Sequence, residues 1–98
     1  MSVVFTRVGT PLPGQLGSAA AFMQERANAI KSAYGVDVGI NARFGGPVGQ
    51  MALVSYHDGL AELEEIRRKI IADVGAGKLP TPKPGIFHHS DDVIWLKL

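Results

Sequence analysis

Histidine is the side chain best suited to moving protons near neutral pH, and this chain of 98 residues holds three. His88 and His89 stand together near Asp91, whereas His57 ends the stretch "MALVSYH" on its own. Adjacent residues on a strand point to opposite faces, so His88 and His89 are a poor chelating pair, and zinc sites normally need about three protein ligands. The pattern therefore predicts no metal site and a polar start to the last strand. His57 or His88 is the candidate general base of any enzymatic reaction.

Two segments are rich in glycine, and the first stands where phosphate-binding loops are found. "GTPLPGQLG", residues 9–17, follows a predicted strand and opens a helix, but it lacks the Lys-Ser/Thr ending of a P-loop. Pro11 and Pro13 also remove two amide donors, which favours a tight strand-to-helix connection. "GGPVG", residues 45–49, joins two predicted strands, so turn geometry explains it, with a mobile rim beside a cleft as the alternative.

The run "EEIRRK", residues 64–69, is the densest cluster of charge in the chain. Its glutamates stand four residues before its basic residues, which is the favourable order for ion pairs along a helix. This pattern predicts a solvated helix face. An RNA-binding sheet needs exposed aromatic residues on its central strands with basic flanks, and Phe5 and Tyr56 have opposite parities without such flanks. Nucleic acid is therefore not an expected partner.

Length and composition describe one ordinary globular domain, residues 1–98. The chain is 46% hydrophobic and 19% charged, its net charge is +1, and it contains no cysteine. These values exclude disulfides and thiolate chemistry and give no global attraction to nucleic acid or anionic membranes. The first residues lack the layout of a signal peptide, and no apolar run approaches about 18 residues. We expect a soluble cytoplasmic protein without membrane association.

Hydrophobic periodicity predicts six elements in the order β-α-β-β-α-β. Ser18 and Asp58 are the expected N-caps of the two helices, and Gly35 is a fitting stop for the first. A loop with three closely spaced prolines, residues 75–85, leads to the final strand. The predicted strands are residues 2–8, 36–44, 51–57 and 92–98, and the predicted helices are residues 17–34 and 59–74.

This order is the ferredoxin-like split motif, an α+β fold with two helices on one face of a four-stranded antiparallel sheet. The first and third strands are central in that sheet. "QMALVSY" is apolar on both parities, and so are the first and last strands, so the face without helices also carries apolar side chains. Burying each large one contributes roughly 1.5–3 kcal/mol, and a second copy is the simplest cover. We therefore expect a homodimer, formed through the sheet face, with a shared barrel-like core.

Four polar or amphipathic side chains on the predicted strands are candidate ligand-binding residues. Arg7 shares parity with apolar residues of the first strand, and Asn41 and Arg43 lie on the less apolar side of the second. The hydroxyl of Tyr56 is also able to reach a ligand. Polar groups inside an apolar barrel must be paired or hydrated. They either serve structure in this way or hold a small molecule in a cleft between sheet and helices.

Three stretches make the chain resemble the dimeric α+β barrel superfamily, and within it the NIPSNAP-like domains. They are "VFTRVGTPLPG" leading into the first helix, "GGPVGQMALVSYHDGLAELE", and the late strand "DDVIWLKL". The resemblance implies the fold and the dimer. The superfamily includes cofactor-free monooxygenases, haem-degrading enzymes, muconolactone isomerases, stress-response proteins and regulators of amino-acid metabolism. No catalytic residue of these relatives aligns with this sequence.

The leading hypothesis is a small homodimeric domain that binds a small apolar metabolite or serves as a structural module. The alternative is a cofactor-independent monooxygenase or isomerase acting on an aromatic or polyketide-like substrate. In that case His57 or His88 handles a proton, and Arg7 or Arg43 stabilises a developing enolate. No cofactor is expected on either hypothesis.

Overall fold

In a computed structural model, which describes residues 2–43 and 49–97, the elements follow the predicted order. The connection at residues 44–48, which includes most of "GGPVG", lies outside the described residues. The four strands form one antiparallel sheet, so the predicted ferredoxin-like α+β fold is confirmed. The elements are β1 (Val3–Pro11), α1 (Leu16–Tyr34), β2 (Val38–Ala42), β3 (Met51–His57), α2 (Leu60–Gly75) and β4 (Phe87–Leu96).

The strands stand in the order β2-β3-β1-β4, which confirms that the first and third strands are central. Val3 pairs with His57 and Arg7 pairs with Leu53 across the β1–β3 ladder. On the other side of β1, Arg7 pairs with Asp92 of β4. Directly paired residues share a face of the sheet, so this register places His57 and Arg7 on the same side.

The main core lies between α1 and the β2–β3 side of the sheet. Small and flexible side chains of the helix allow close approach to the strands, and Ala19 and Met23 are almost fully buried there. The predicted helical stripe and the predicted strand alternation thus meet in one cluster. Its buried members are Ala19, Met23, Ala27, Met51 and Leu53.

The second helix covers the sheet less completely than its sequence predicts. Leu63 is 3% exposed, but Leu60 of the same apolar stripe is 50% exposed. Ile66, Ile70 and Val74 are only half-buried, because they face an open cleft rather than packed side chains. The stripe of α2 therefore lines a cavity between helix and sheet, where the sequence left a ligand cleft as one of two alternatives.

The predicted bounds of the first and last strands were too short. β1 runs to Pro11 rather than stopping at Val8, and β4 begins at Phe87 rather than Asp92. The two strands continue to pair beyond the predicted ends, with a register shift between Thr10 and Pro11. β4 is an edge strand, where polar side chains are tolerated, so its histidines lie inside the strand and not ahead of it. The other bounds differ from the prediction by two residues at most.

Neither predicted N-cap was right. α1 begins at Leu16, so Ser18 lies inside its first turn, and neither helix has a side-chain cap. The backbone N–H of Asp58 instead donates to the carboxylate of Glu62 at 3.3 Å, which uses the Asp58 position as donor and not as acceptor. The predicted stop at Gly35 is confirmed, because its φ of 71° is left-handed, a conformation that glycine adopts without strain.

The outward face of α2 is charged, as predicted. Glu64 contacts Arg68 at 3.7 Å, and Glu65 contacts Lys69 at 3.5 Å, both at a spacing of four residues. Within the described residues, neither helix is long and apolar enough to cross a membrane.

Candidate ligand-binding cleft

A cleft of about 380 Å³ opens between the two helices and the sheet. Its volume lies within the range of small-molecule sites, roughly 300–1,000 Å³. Strands β1 and β3 form its floor, α2 covers it, and the proline-rich loop borders it. The residues that line it are Phe5, Arg7, Arg26, Ile30, Val36, Val38, Leu53, Ser55, His57, Leu63, Ile66, Arg67, Ile70, Ile71, Val74, Thr81 and Pro82.

The chemistry of this lining is one-sided. Most of the side chains are aliphatic, and among the described residues the only charged or titratable ones in the lining are Arg7, Arg26, Arg67 and His57. No carboxylate of the described residues belongs to the lining. An apolar chamber whose charged groups are all basic favours a ligand with an apolar body and an anionic group.

Two of the arginines meet at one carboxylate. Arg7 Nε lies 2.7 Å from Asp92 Oδ1 and its Nη2 lies 3.0 Å from Oδ2, so the pair is bidentate. Arg67 Nη2 reaches the same Oδ2 at 3.5 Å. Both guanidinium groups also lie near the ring of Phe5, at 5.8 Å and 5.4 Å from its centroid. The single negative charge of Asp92 therefore neutralises only one of the two positive charges of Arg7 and Arg67, and both guanidinium groups make cation–π contacts with Phe5.

The bidentate contact shifts the pKa of both Arg7 and Asp92. The hydrogen bonds that Asp92 accepts from Arg7 lower the pKa of its carboxyl group, against the opposing effect of burial, and the charges of Arg7 and Arg67 add to the lowering. The same hydrogen bonds raise the pKa of the Arg7 guanidinium. Both groups are thus firmly ionised at neutral pH.

Arg26 is a buried arginine in the apolar stripe of α1, with 8% of its surface exposed. Its Nη1 donates to the carbonyl oxygen of Pro80 at 2.9 Å. Burial lowers the pKa of Arg26, and the positive charge of Arg7 lowers it further. The contact fixes the proline-rich loop beside the cleft, where Thr81 and Pro82 complete the lining.

His57 and Ser55 form a polar pair on the cleft floor. They alternate on β3, so both side chains point to the helix side, and they are 5% and 6% exposed. Ser55 Oγ lies 2.8 Å from His57 Nε2. The other ring nitrogen, Nδ1, lies 3.6 Å from Glu62 Oε1, beyond hydrogen-bonding distance, and has no hydrogen-bond partner among the described residues.

Tyr34 joins the two helices, and its hydroxyl also lies 3.4 Å from the carbonyl oxygen of Lys69 on α2. The hydroxyl of Tyr34 on α1 donates to Asp73 on α2. Burial, together with the hydrogen bond to Asp73, raises the pKa of Tyr34 to about 12, so the hydroxyl stays protonated and keeps donating.

The structure separates the residues that the sequence proposed as a site. Arg7 and His57 both line the cleft, but Asn41 and Tyr56 lie on the opposite face of the sheet, and Tyr56 is 73% exposed. Arg43, just past the end of β2, donates to Gln50 Oε1 at 2.6 Å. His88 is exposed on β4 at the register shift and does not line the cleft with His57.

Four residues of the site were not among the candidates. Ser55 has the parity of His57 on the same strand, so alternation alone places the two side chains together. Arg26 stands three residues after Met23 within an apolar stripe, an unusual position for a charge. No sequence pattern pointed to Arg67 or Asp92. Their contact depends on the position of α2 relative to β4, which local sequence does not determine.

Among the described residues, no three histidine, aspartate or glutamate side chains come close enough to hold a metal ion. His89 Nε2 and Asp91 Oδ2 lie 2.8 Å apart on β4, but both side chains are exposed and face away from the helices. This pair is a local surface contact.

Three solved structures of bacterial proteins share this fold. A NIPSNAP family protein from Agrobacterium tumefaciens superposes with a TM-score of 0.79 at 18% identity, over 100% of this chain and 94% of that one. An uncharacterized NIPSNAP domain protein from Burkholderia xenovorans gives 0.78 at 14% identity, over 98% and 94% of the two chains. Another NIPSNAP family protein from Agrobacterium tumefaciens, described as having unknown function, gives 0.74 at 18% identity, over 96% and 86%.

These likenesses span the whole chain and confirm the resemblance to NIPSNAP-like domains at the level of the fold. No sequence-family model matches the chain, and no curated protein matches it. Two of these three proteins are described as uncharacterized or of unknown function, and the likenesses show the fold alone.

Proposed function

We propose that this protein binds a small organic acid with an apolar body in the cleft between its sheet and its helices. The observation that carries the proposal is the lining: aliphatic walls, three arginines and no carboxylate. Guanidinium groups recognise carboxylates through paired hydrogen bonds, which gives both affinity and orientation. The sequence predicts an apolar metabolite as ligand, and this proposal adds that the metabolite carries an anionic group. The cytoplasmic location is a separate prediction.

The Asp92 carboxylate stands where a ligand would compete for the guanidinium groups. It engages Arg7 through both oxygens and leaves Arg67 with one longer contact of 3.5 Å. The donors of Arg67 are therefore available to a second carboxylate arriving from the cleft. Phe5, whose ring lies near both guanidinium groups and lines the cleft, offers an aromatic surface against which the ligand body packs.

The test is a titration with phenylacetate and with its uncharged analogue phenylacetamide, followed by two-dimensional NMR of the amide and guanidinium signals. We expect phenylacetate to bind at least about tenfold more tightly, with the largest shifts at residues of the cleft. Arg67→Gln should weaken phenylacetate by about tenfold or more and leave phenylacetamide unchanged. Asp92→Asn should tighten phenylacetate, because it removes the competing charge.

The matched control is Arg68→Gln, the neighbouring arginine, which points away from the cleft and pairs with Glu64. It should leave the binding of both compounds unchanged. Equal affinity for acid and amide would reject the anionic group, and shifts confined to the outer surface would reject the cleft as the binding site.

A second candidate function is cofactor-independent proton transfer, such as isomerisation, and it is favoured by the position of His57. Its ring is buried on the cleft floor, in the same chamber as Arg7, so a base and a cation able to stabilise an enolate face one space. The test is exchange of the acidic C–H protons of phenylacetone in D2O. His57→Gln should abolish any acceleration that the protein gives.

The homodimer expected from the sequence is also a proposal, and the sheet supports it. Side chains opposite to the cleft form an uncovered face, and its Tyr56 and Trp95 are 73% and 63% exposed. Neither helix packs on this side, because both contact the parity that carries Met51 and Leu53. The apolar side chains of the uncovered face are Val4, Val8, Ala52, Val54, Tyr56, Val93 and Trp95, and the polar Thr6, Thr10, Asn41, His89 and Asp91 lie on the same side.

A second copy fits this face because the same mainly apolar surface would then be buried on both protomers. Its members are mainly valine, alanine and aromatic residues, which pack well between two sheets about 10 Å apart. A stable pairing needs about 800 Å² from each protomer, and a four-stranded sheet offers a surface of that order. The ligand cleft lies on the other side of the sheet, so the proposed dimer leaves it open.

A further inference from the structure

We propose that Ser55, His57 and Glu62 form a nucleophile, a general base and an orienting carboxylate, and that the cleft catalyses acyl transfer from a small apolar ester or thioester. The inference rests on the cleft being the ligand site proposed above. It goes beyond that proposal by assigning a covalent step to a named oxygen atom.

The first observation is the contact between serine and histidine. Ser55 Oγ lies 2.8 Å from His57 Nε2, and both side chains line the cleft while being almost fully buried. This is the reach required between a hydroxyl nucleophile and its base, about 2.6–3.2 Å. A substrate carbonyl in the cleft would meet the serine oxygen from the open side.

The second observation is what faces the other ring nitrogen. His57 Nδ1 is buried, has no hydrogen-bond partner among the described residues, and lies 3.6 Å from Glu62 Oε1. A buried polar atom without a partner requires an explanation. Here the explanation is a resting contact that shortens when substrate binds, as catalytic hydrogen bonds commonly do.

The third observation is that Glu62 is itself positioned. Its second oxygen, Oε2, accepts the backbone N–H of Asp58 at 3.3 Å, which holds the carboxylate over the first turn of α2. A carboxylate beside Nδ1 favours the tautomer with the proton on that nitrogen, which leaves the Nε2 lone pair towards Ser55. Glu62 therefore acts as a positioning residue.

The charges of the cleft suit such a reaction. Attack on a carbonyl places negative charge on its oxygen, and the charged groups of this lining are basic. Arg7 stands on the same face of β1, one alternation further along the strand than Phe5, which pairs directly with Ser55. The developing charge thus arises on a cationic side of the chamber.

The reaction balances without a cofactor. Ser55 Oγ forms a bond to the acyl carbon and its proton moves to His57 Nε2. The bond from the acyl carbon to the leaving oxygen or sulfur breaks, and that atom takes the proton from His57. Water then attacks the acyl carbon and gives a proton to His57. The bond between the acyl carbon and Ser55 Oγ breaks, the carboxylic acid leaves, and the serine oxygen recovers the proton from His57.

The experiment uses a fluorophosphonate probe, with intact-protein and peptide mass spectrometry, and the hydrolysis of p-nitrophenyl butyrate. We expect one label per chain, on Ser55, and a rate at least about 100-fold above that of Ser55→Ala and of His57→Gln. Ser32→Ala, an exposed serine of α1, is the control and should match the wild type. Labelling elsewhere, or an unchanged rate in Ser55→Ala, would overturn the proposal.

Two further variants separate catalysis from structure. The chain has no cysteine, so Ser55→Cys introduces a single thiol, whose alkylation by iodoacetamide should slow at least tenfold when His57→Gln is added. Glu62→Gln should alter the ¹⁵N signals that report the tautomer of His57 and lower the labelling rate, whereas Glu65→Gln should do neither. An unchanged tautomer in Glu62→Gln, or equal alkylation with and without His57, would also overturn it.

The failure of this proposal is distinguishable from failure of the binding function. If phenylacetate binds in the cleft but the fluorophosphonate labels no serine, the acyl-transfer step is rejected and the binding site stays supported. Labelling of Ser55 without any binding of phenylacetate supports the nucleophile and rejects the anionic group.

Discussion

Arg26 Nη1 donates a hydrogen bond of 2.9 Å to the carbonyl oxygen of Pro80, and this single contact ties the proline-rich loop to α1. The loop has prolines at alternate positions, which cannot donate backbone hydrogen bonds of their own. Leu79, next to Pro80, is buried, so the loop has one apolar and one polar anchor at adjacent residues.

Replacing the polar anchor should loosen the loop. Arg26→Met keeps most of the side-chain volume but leaves the Pro80 carbonyl without its donor, so we expect a loss of about 1–3 kcal/mol in the free energy of unfolding. Urea denaturation measures the loss, and hydrogen exchange at residues 79–81 should accelerate. Arg68→Met on the exposed face of α2 is the control and should change stability by less than about 0.5 kcal/mol. Equal effects of the two variants would contradict the anchoring role.

The Arg7–Asp92 pair predicts a dependence of stability on pH. The carboxyl pKa of Asp92 is lowered below its ordinary value of 3.8 by the hydrogen bonds from Arg7, so its contribution is complete above that value. The contribution is lost as the pH falls below 3.8 through the lowered pKa of the folded protein. About a third of each side chain is exposed, so solvent screening limits it to about 1 kcal/mol or less.

The variant that measures this effect is Asp92→Asn. Its free energy of unfolding should lie below that of the wild type at pH 7, and the difference should shrink steadily as the pH falls below 3.8. Urea denaturation at several pH values gives the two curves. Curves that stay parallel to pH 2 would mean that the carboxylate charge has no part in stability.

A close approach at Gly9 predicts a sharp difference between two strand glycines. A Cβ atom at Gly9 would lie 2.8 Å from Cε1 of Phe87, whose ring packs edge-to-face against Phe22. Gly9→Ala should therefore destabilise the protein by about 1–3 kcal/mol. At Gly39 the nearest atom would be 3.9 Å away, so Gly39→Ala should be neutral or stabilise by up to about 1 kcal/mol. Thermal unfolding of both variants makes the comparison, and a neutral Gly9→Ala would contradict the packing.

The proposed homodimer predicts a particle of twice the 10.4 kDa chain mass in sedimentation velocity at micromolar concentration. Val54→Asp places a carboxylate at the centre of the uncovered face and should yield a folded monomer, because a buried unpaired charge costs several kcal/mol. Ala72→Asp on the exposed side of α2 is the control and should remain dimeric. A wild-type particle of single chain mass would disprove the dimer.

The sequence predicted the fold well because its elements have clear periods. The alternation of "VDVGINARF" and "MALVSYH" and the stripe from Ala20 to Ile30 are strong signals, and each became the expected element. The C-terminal end of β1 and the N-terminal end of β4 were missed because these two segments pair with each other. The hydropathy of one segment does not show that a second strand lies beside it.

The site was predicted less well, and the reason is geometric. Arg7 was found because parity on a strand is readable, and His57 because histidine is the side chain best suited to proton transfer. Parity in the structure separates both of them from Tyr56, which the sequence had grouped with Arg7. Arg67 and Asp92 meet only through the position of a helix over a sheet edge, which no local pattern encodes. The cleft itself arises because the apolar stripe of α2 stands away from the sheet, and the periodicity of a stripe in sequence does not show how far it lies from the strands.

The alternation along β3 places Ser55 and His57 on one side of the sheet and Val54 and Tyr56 on the other. The two surfaces therefore share a backbone but no side chain. Point substitutions can tune ligand preference or self-association separately over evolution, whereas an insertion or deletion within the strand exchanges both sets at once. Changes of length in β3 should be far rarer among relatives than changes of residue.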